Sequence, residues 1–152
     1  VDFGDGAKLE ILFPNQDVTN WDTNDASIVA KLTYGDESFL LTGDSTKKAE
    51  YILLGLNSSN DKASPLSLKS NVLKAGHHGS RFSTSLIYAQ AVSPEYAVIS
   101  VGAKNTYGHP TKEVLDVLNQ VGAKVLGTET AGGLIGHGTI EFDTNGTNLI
   151  LK

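Results

Sequence analysis

The sequence predicts a mixed α/β layered domain, on three observations. Two strand-type runs, SIVAKLTY (27–34) and SFLLT (38–42), flank Gly35-Asp36-Glu37 as the arms of a hairpin flank its turn. Between residues 71 and 128, apolar runs alternate with amphipathic segments, the pattern of βαβαβ units and a parallel sheet. Two last apolar runs enclose Thr144-Asn145-Gly146, which reads as a second hairpin.

In chain order, KLEILF (8–13) is a strand stopped by Pro14, which cannot donate to a sheet ladder. Residues 15–25 are polar and rich in turn formers, hence a loop. The 27–34 and 38–42 strands follow, then a helix over 45–54 with Asp44 or Ser45 at its N-cap. Residues 57–70 are polar and serine-rich, an exposed loop. A short apolar strand (71–75) leads into Gly76-His77-His78-Gly79-Ser80. A helix spans 83–92, capped by Ser83 or Thr84 and ended by Pro94. YAVISV (96–101) is a buried type of strand. The helix over 111–121 enters at Pro110 and leaves at Gly122, with Val114, Leu115, Leu118 and Val121 on one face. Strands at 124–128, 139–142 and 148–151 complete the order.

At 152 residues the chain fits one domain with its own core, and 39% apolar content suits a globular protein. A net charge of −5 argues against a broad basic face for gripping nucleic acid, though a bound cation would supply positive charge locally. No apolar run approaches a membrane span, and no segment reads as a signal peptide. Cysteine is absent, which excludes disulfides, zinc–thiolate sites and thiol nucleophiles. The chain opens on Val1 and holds no methionine, so it is expected to be a processed product or an excised piece. The missing cysteine and the frequent Asn, Thr, Ser and Gly lean towards an extracytoplasmic setting.

The chemistry concentrates where apolar runs end in glycine. Asp44 follows FLLTG, where an open α/β sheet presents ligand-binding groups, although the same carboxylate would also cap the next helix. His77 and His78 follow VLKAG. Adjacent imidazoles on a turn point apart, so one binds a metal while the other meets substrate or supports the site. His109 stands at a third such strand end, before Pro110. Three strand ends each delivering an Asp or His are best explained by convergence on one ion. The long gaps between them exclude a compact zinc clip. His137, between two glycines, reads as a solvated turn residue, and Lys47 and Lys48 as a solvated helix face. Trp21 sits alone in a polar loop, packing on the domain edge or lining a cleft. Ser80 lacks a G-x-S-x-G elbow, which argues against a serine hydrolase.

Four segments in register, NDASIV (24–29), FLLTGD (39–44), VLKAGHHGS (72–80) and SPEYAVISVGAKNTYGHP (93–110), resemble the metallo-β-lactamase superfamily, and within it the soluble domain of ComEC-type competence proteins. The likeness covers about residues 9–128. It implies part of an αββα sandwich, a mixed sheet flanked by helices, with a centre of one or two divalent ions, Zn or Mn. There a metal-bound hydroxide attacks a phosphoester or another ester or amide. By the same resemblance Asp44, His77 and His109 match metal ligands, with Asp44 the one that bridges two ions. His78 matches the alternative ligand or a substrate contact, and Asn24 or Asp25 shapes the site where relatives carry a histidine. His78, Asn24 and Asp44 are thus the catalytic candidates, and Ser80, Asn105 and Tyr107 the substrate-binding ones.

The departure from that family is as informative. Its H-x-H-x-D-H signature is absent, and none of the four histidines has that spacing. Residues 1–152 are therefore expected to form the C-terminal portion of such a domain, leaving an apolar sheet face for the missing N-terminal half or a second copy. The function implied is a phosphodiesterase or nuclease linked to bacterial DNA uptake. The competing readings are an inactive interaction module and a choline-phosphate esterase or lactonase of the same fold.

Overall fold

The computed structural model describes residues 1–56 and 67–152. Seven strands form one sheet in strictly sequential order: β1 (Asp2–Gly4), β2 (Ala7–Phe13), β3 (Val29–Tyr34), β4 (Glu37–Leu41), β5 (Val72–Lys74), β6 (Tyr96–Ile99) and β7 (Lys124–Gly127). The first four pair antiparallel and the last four parallel, so β4 is where the sheet changes character. Three helices, α1 (Lys47–Leu53), α2 (Leu86–Val92) and α3 (Lys112–Gln120), carry the crossovers between parallel neighbours. A separate hairpin of β8 (Phe142–Thr144) and β9 (Leu149–Leu151) closes the chain. The predicted α/β class with a mixed sheet is the one observed. Strand β1 was not expected, because its fully exposed DFG carries no alternation of apolar and polar residues.

The strand register sorts the residues by face, since side chains alternate along a strand. Leu40, Leu73 and Ala97 stand opposite one another and share a core with Ala49 and Leu53 of α1, Tyr88 and Val92 of α2, and Val114 and Leu118 of α3. One sheet face and all three helices therefore make a single core. Burying each of its large aliphatic side chains contributes about 1.5–3 kcal/mol.

The next residues along the strands build the other face. One row runs Ile11, Ala30, Leu41, Lys74, Val98, Leu126, and a second runs Leu9, Leu32, Phe39, Val72, Tyr96. The second row is roofed by Phe142 of the closing hairpin, whose ring meets Phe39 at 6.1 Å and Tyr96 at 5.2 Å. In the first row Ile11 stays 52% and Leu41 42% exposed. Those values mark an apolar strip that the described residues leave uncovered.

Several predicted boundaries move, each for a tertiary reason. The N-cap of α1 is Thr46, whose hydroxyl accepts from the Lys48 amide, not Asp44 or Ser45. Gly43, at φ +54, turns the chain early, and the Ser45 amide is already taken by the Thr42 carbonyl. Helix α2 starts behind Ser85 rather than at Ser83 or Thr84. The Ser83 hydroxyl is spent on the Gly76 and Ser80 carbonyls, and Thr84 is left-handed. The two amides just before the helix donate to the buried Glu50 carboxylate of α1, from Thr84 to one oxygen and from Ser85 to the other. Of the predicted loop over 57–70, residues 57–66 lie outside the described part. Leu68 and Ser70 are buried rather than exposed, and the Lys31 ammonium ties down the Ser67 and Lys69 carbonyls. Lys47 and Lys48 are likewise engaged: Lys47 donates to the Arg81 carbonyl, and Lys48 pairs with Asp25 over the Trp21 ring. Trp21 itself packs on Phe13.

Candidate metal centre

The candidate residues gather at the C-terminal ends of β4, β5 and β6, as the Gly-terminated apolar runs predict. The turn after β5 is the most unusual stretch of backbone. His77 (φ 46, ψ 44) and His78 (φ 56, ψ 25) are both left-handed, a conformation uncommon for any residue but glycine. Strain of this kind amounts to ~1–3 kcal/mol per residue and persists only where the surroundings enforce it. The surroundings are the flanking glycines. A Cβ on Gly76 would stand 2.9 Å from the Ser45 carbonyl oxygen, and one on Gly79 would stand 2.7 Å from Pro110. The second contact sets the His77 turn directly against the residue after His109. The His109–Pro110 peptide bond is cis.

His77 and His109 come together. Their rings lie 5.8 Å apart, edge to face. In each, Nδ1 is buried with no hydrogen-bond partner among the described residues. Desolvation lowers the His109 pKa, and the nearby His77, His78 and Arg81 charges lower it further, which favours the neutral, ligating imidazole. Asn105 clamps the His109 backbone from both sides, accepting from its amide and donating to its carbonyl. Tyr107, 81% exposed, stacks on the His109 ring.

Asp44 and His78 form a second pair. The His78 Nδ1 meets the Ser100 carbonyl at 2.6 Å, and its Nε2 lies 3.3 Å from the Asp44 carboxylate. Both oxygens are acceptors, so only a ring protonated on both nitrogens makes both contacts as hydrogen bonds. Among the described residues no three His, Asp, Glu or Cys side chains gather closely enough to hold a metal ion. The structure brings His77 to His109 and Asp44 to His78.

Two clefts flank the imidazoles. One of about 420 Å³ is lined by Asn24, Lys47, His77 and Phe82, among others. One of about 200 Å³ is lined by His78, Asn105, Tyr107 and His109. Asn24 thus reaches the His77 side, while Asp25 is held by Thr46 and Lys48 at the start of α1. Ser80 is buried, and its amide and carbonyl close the turn, donating to His77 and accepting from Ser83, so it faces neither cleft. His137 is exposed, as read from its glycine neighbours. A cavity of about 450 Å³ lined by Lys31, Glu37, Asn71 and Glu95 lies at the opposite ends of the strands and shares no residue with these clefts. Reasoning from sequence missed Lys74, Arg81 and Phe82. The last two are exposed beside the turn, and only their nearness to GHHGS signals them.

No protein-family model matches the chain. It is 39% identical over 140 residues to "Competence protein ComA" of Neisseria gonorrhoeae. It is 36% identical over 119 residues to "ComE operon protein 3" of Bacillus subtilis, and 36% over 127 residues to "Recombination protein 2" of Haemophilus influenzae. These alignments take in 90%, 78% and 84% of this chain but only 19%, 14% and 15% of the relatives, so the chain spans less than a fifth of each.

Proposed function

We propose, on the premise that these homologues point to the competence DNA-uptake family, that the chain is the C-terminal part of a metal-dependent hydrolase of metallo-β-lactamase type. Its substrates would be phosphodiesters, its setting extracytoplasmic, and its role in DNA uptake. The observation that carries this reading is the His77–His109 pair, two imidazoles whose buried Nδ1 atoms have no partner among the described residues, His77 being delivered by a strained turn. A buried nitrogen without a partner is rare in a native structure, and a cation is one group that would satisfy two of them.

The donors present fit such an ion in part. Two imidazole nitrogens fall short of the usual four donors. Asp44 is near enough in the fold to contribute, and further ligands would come from the preceding half of the domain or from a second copy. The uncovered strip at Ile11 and Leu41 suits such a partner. Zn or Mn would suit these ligands, as one ion or two, and when bound would supply a Lewis acid and a source of hydroxide at neutral pH. The chain's own residues orient and shield. Asn105 fixes His109, the Ser100 carbonyl orients the His78 ring beside Asp44, and Asn24 and Tyr107 border the clefts where substrate would lie.

Isothermal titration of Mn²⁺ and Zn²⁺ into the full-length protein tests the reading, together with cleavage of single-stranded DNA and of bis(p-nitrophenyl) phosphate. Binding and cleavage should both fall at least tenfold in His77→Ala and in His109→Ala. Absence of metal binding in the wild type, or cleavage unchanged in both variants, would refute it. Loss of activity on only one substrate class separates a nuclease from an esterase acting on small molecules.

A second reading, that the isolated chain is an interaction module, is favoured by the lack of any three-donor cluster among the described residues. Phosphodiester hydrolysis by residues 1–152 alone, abolished by Asp44→Ala, would exclude it.

A further inference from the structure

We infer that Lys74 is a positioning residue that ties the Asp44 loop to the His77 turn. The inference deepens the reading above and rests on it for its relevance to metal binding. Lys74 is the last residue of β5 and shares the uncovered sheet face with Leu41 and Val98. Its ammonium does not reach for solvent. It donates to the Gly43 carbonyl at 2.8 Å and to the Ala75 carbonyl at 3.2 Å. The Gly43 oxygen also accepts the His77 amide at 3.2 Å, and the Lys74 carbonyl accepts the Thr42 hydroxyl at 2.7 Å. One cation therefore joins the residue before Asp44 to the residue before Gly76, beside the two bonds that already link these loops.

A lysine here is chemically expensive. Its stem is half-buried on an apolar face where methionine would pack as well, and desolvation opposes the charged form. Asp44 is the charged group that opposes this effect. A free cation would relax towards water. This one is held against two carbonyls, a geometry that serves the spacing of Asp44 and His77.

The test is backbone hydrogen exchange of the His77 amide, followed by NMR in metal-free protein. Lys74→Met keeps the stem and removes the donors. Exchange at His77 should accelerate at least tenfold while the amides of α3 exchange as before, and Lys74→Arg, which keeps the cation, should restore most of the protection. If Lys74→Met does not fold, Lys74→Gln, too short to reach both carbonyls, serves the same comparison. His77 exchange unchanged in the folded neutral variant overturns the inference, as does acceleration spread equally over α3. In parallel, Mn²⁺ affinity of the full-length protein should fall about tenfold in the neutral variant and recover in Lys74→Arg. A wild type that binds neither Mn²⁺ nor Zn²⁺ defeats the proposed function, while the exchange result still decides the role of Lys74.

Discussion

His77 is left-handed, half-buried and, among the described residues, without a partner at Nδ1, so its side chain contributes little to stability in return for the strain its backbone holds. Replacing it by glycine should leave stability unchanged or raise it by up to ~1 kcal/mol, because glycine adopts this conformation freely. Metal binding should be lost in the same variant. Urea denaturation beside metal titration checks both, and a loss above ~2 kcal/mol would show that the imidazole is a packing residue after all. Gly79 is the opposite case. Its φ of +80 and the 2.7 Å approach of Pro110 leave no room for a Cβ. Gly79→Ala should destabilise by ~1–3 kcal/mol and shift the His109 imidazole resonances, since the turn pushes on the neighbour of His109. The glycines beside His77 and His78 are legible as turn formers from sequence. That one of them abuts Pro110, 31 positions further on, is not, because no local pattern encodes a contact between two loops.

At the scale of elements, α1 and α2 are joined through one carboxylate. Glu50 of α1 accepts the amides of Ser85, the N-cap residue of α2, and of Thr84 just before it. Desolvation raises the Glu50 pKa, opposed by those hydrogen bonds and by the Lys47 charge. The folded state therefore holds the Glu50 proton more tightly than the unfolded chain. Stability from this group is full below the unfolded value of 4.5 and is lost as pH rises through the raised folded value. The wild type should thus lose stability above pH 4.5 by more than a Glu50→Gln variant does. Denaturant titrations at pH 4.5, 5.5 and 7 measure the difference in slope. Equal slopes would mean that the amide donors already hold the carboxylate charged. Sequence periodicity places α1 and α2 within a few residues, but it reads Ser83 or Thr84 as the cap. It cannot see that a side chain from another helix binds the amides just before α2.

At the scale of the whole molecule, the two faces of the sheet have different fates. One is sealed by three helices. The other is roofed at the Phe39–Tyr96 row by Phe142 and open at the Ile11–Leu41 row beside the candidate site. Ile11→Lys with Leu41→Lys should change the stability of residues 1–152 by no more than ~0.5 kcal/mol each, since both positions already face water. The same pair should abolish association with a separately expressed N-terminal half, read by size-exclusion chromatography. Association that persists would place the partner elsewhere. The sequence by itself determined the α/β class, the alternation after residue 71, and the delivery of Asp44, His77, His78 and His109 at strand ends. These follow from periodicity and from glycine, which act over a few neighbouring residues. Only the tertiary structure decided that His77 pairs with His109 and Asp44 with His78, that Glu50 binds the chain at the entry to α2, and that Lys74 binds two loops together. Each of these depends on side chains about 30 residues apart meeting across a parallel sheet, and that meeting is set by strand register and core packing rather than by local sequence.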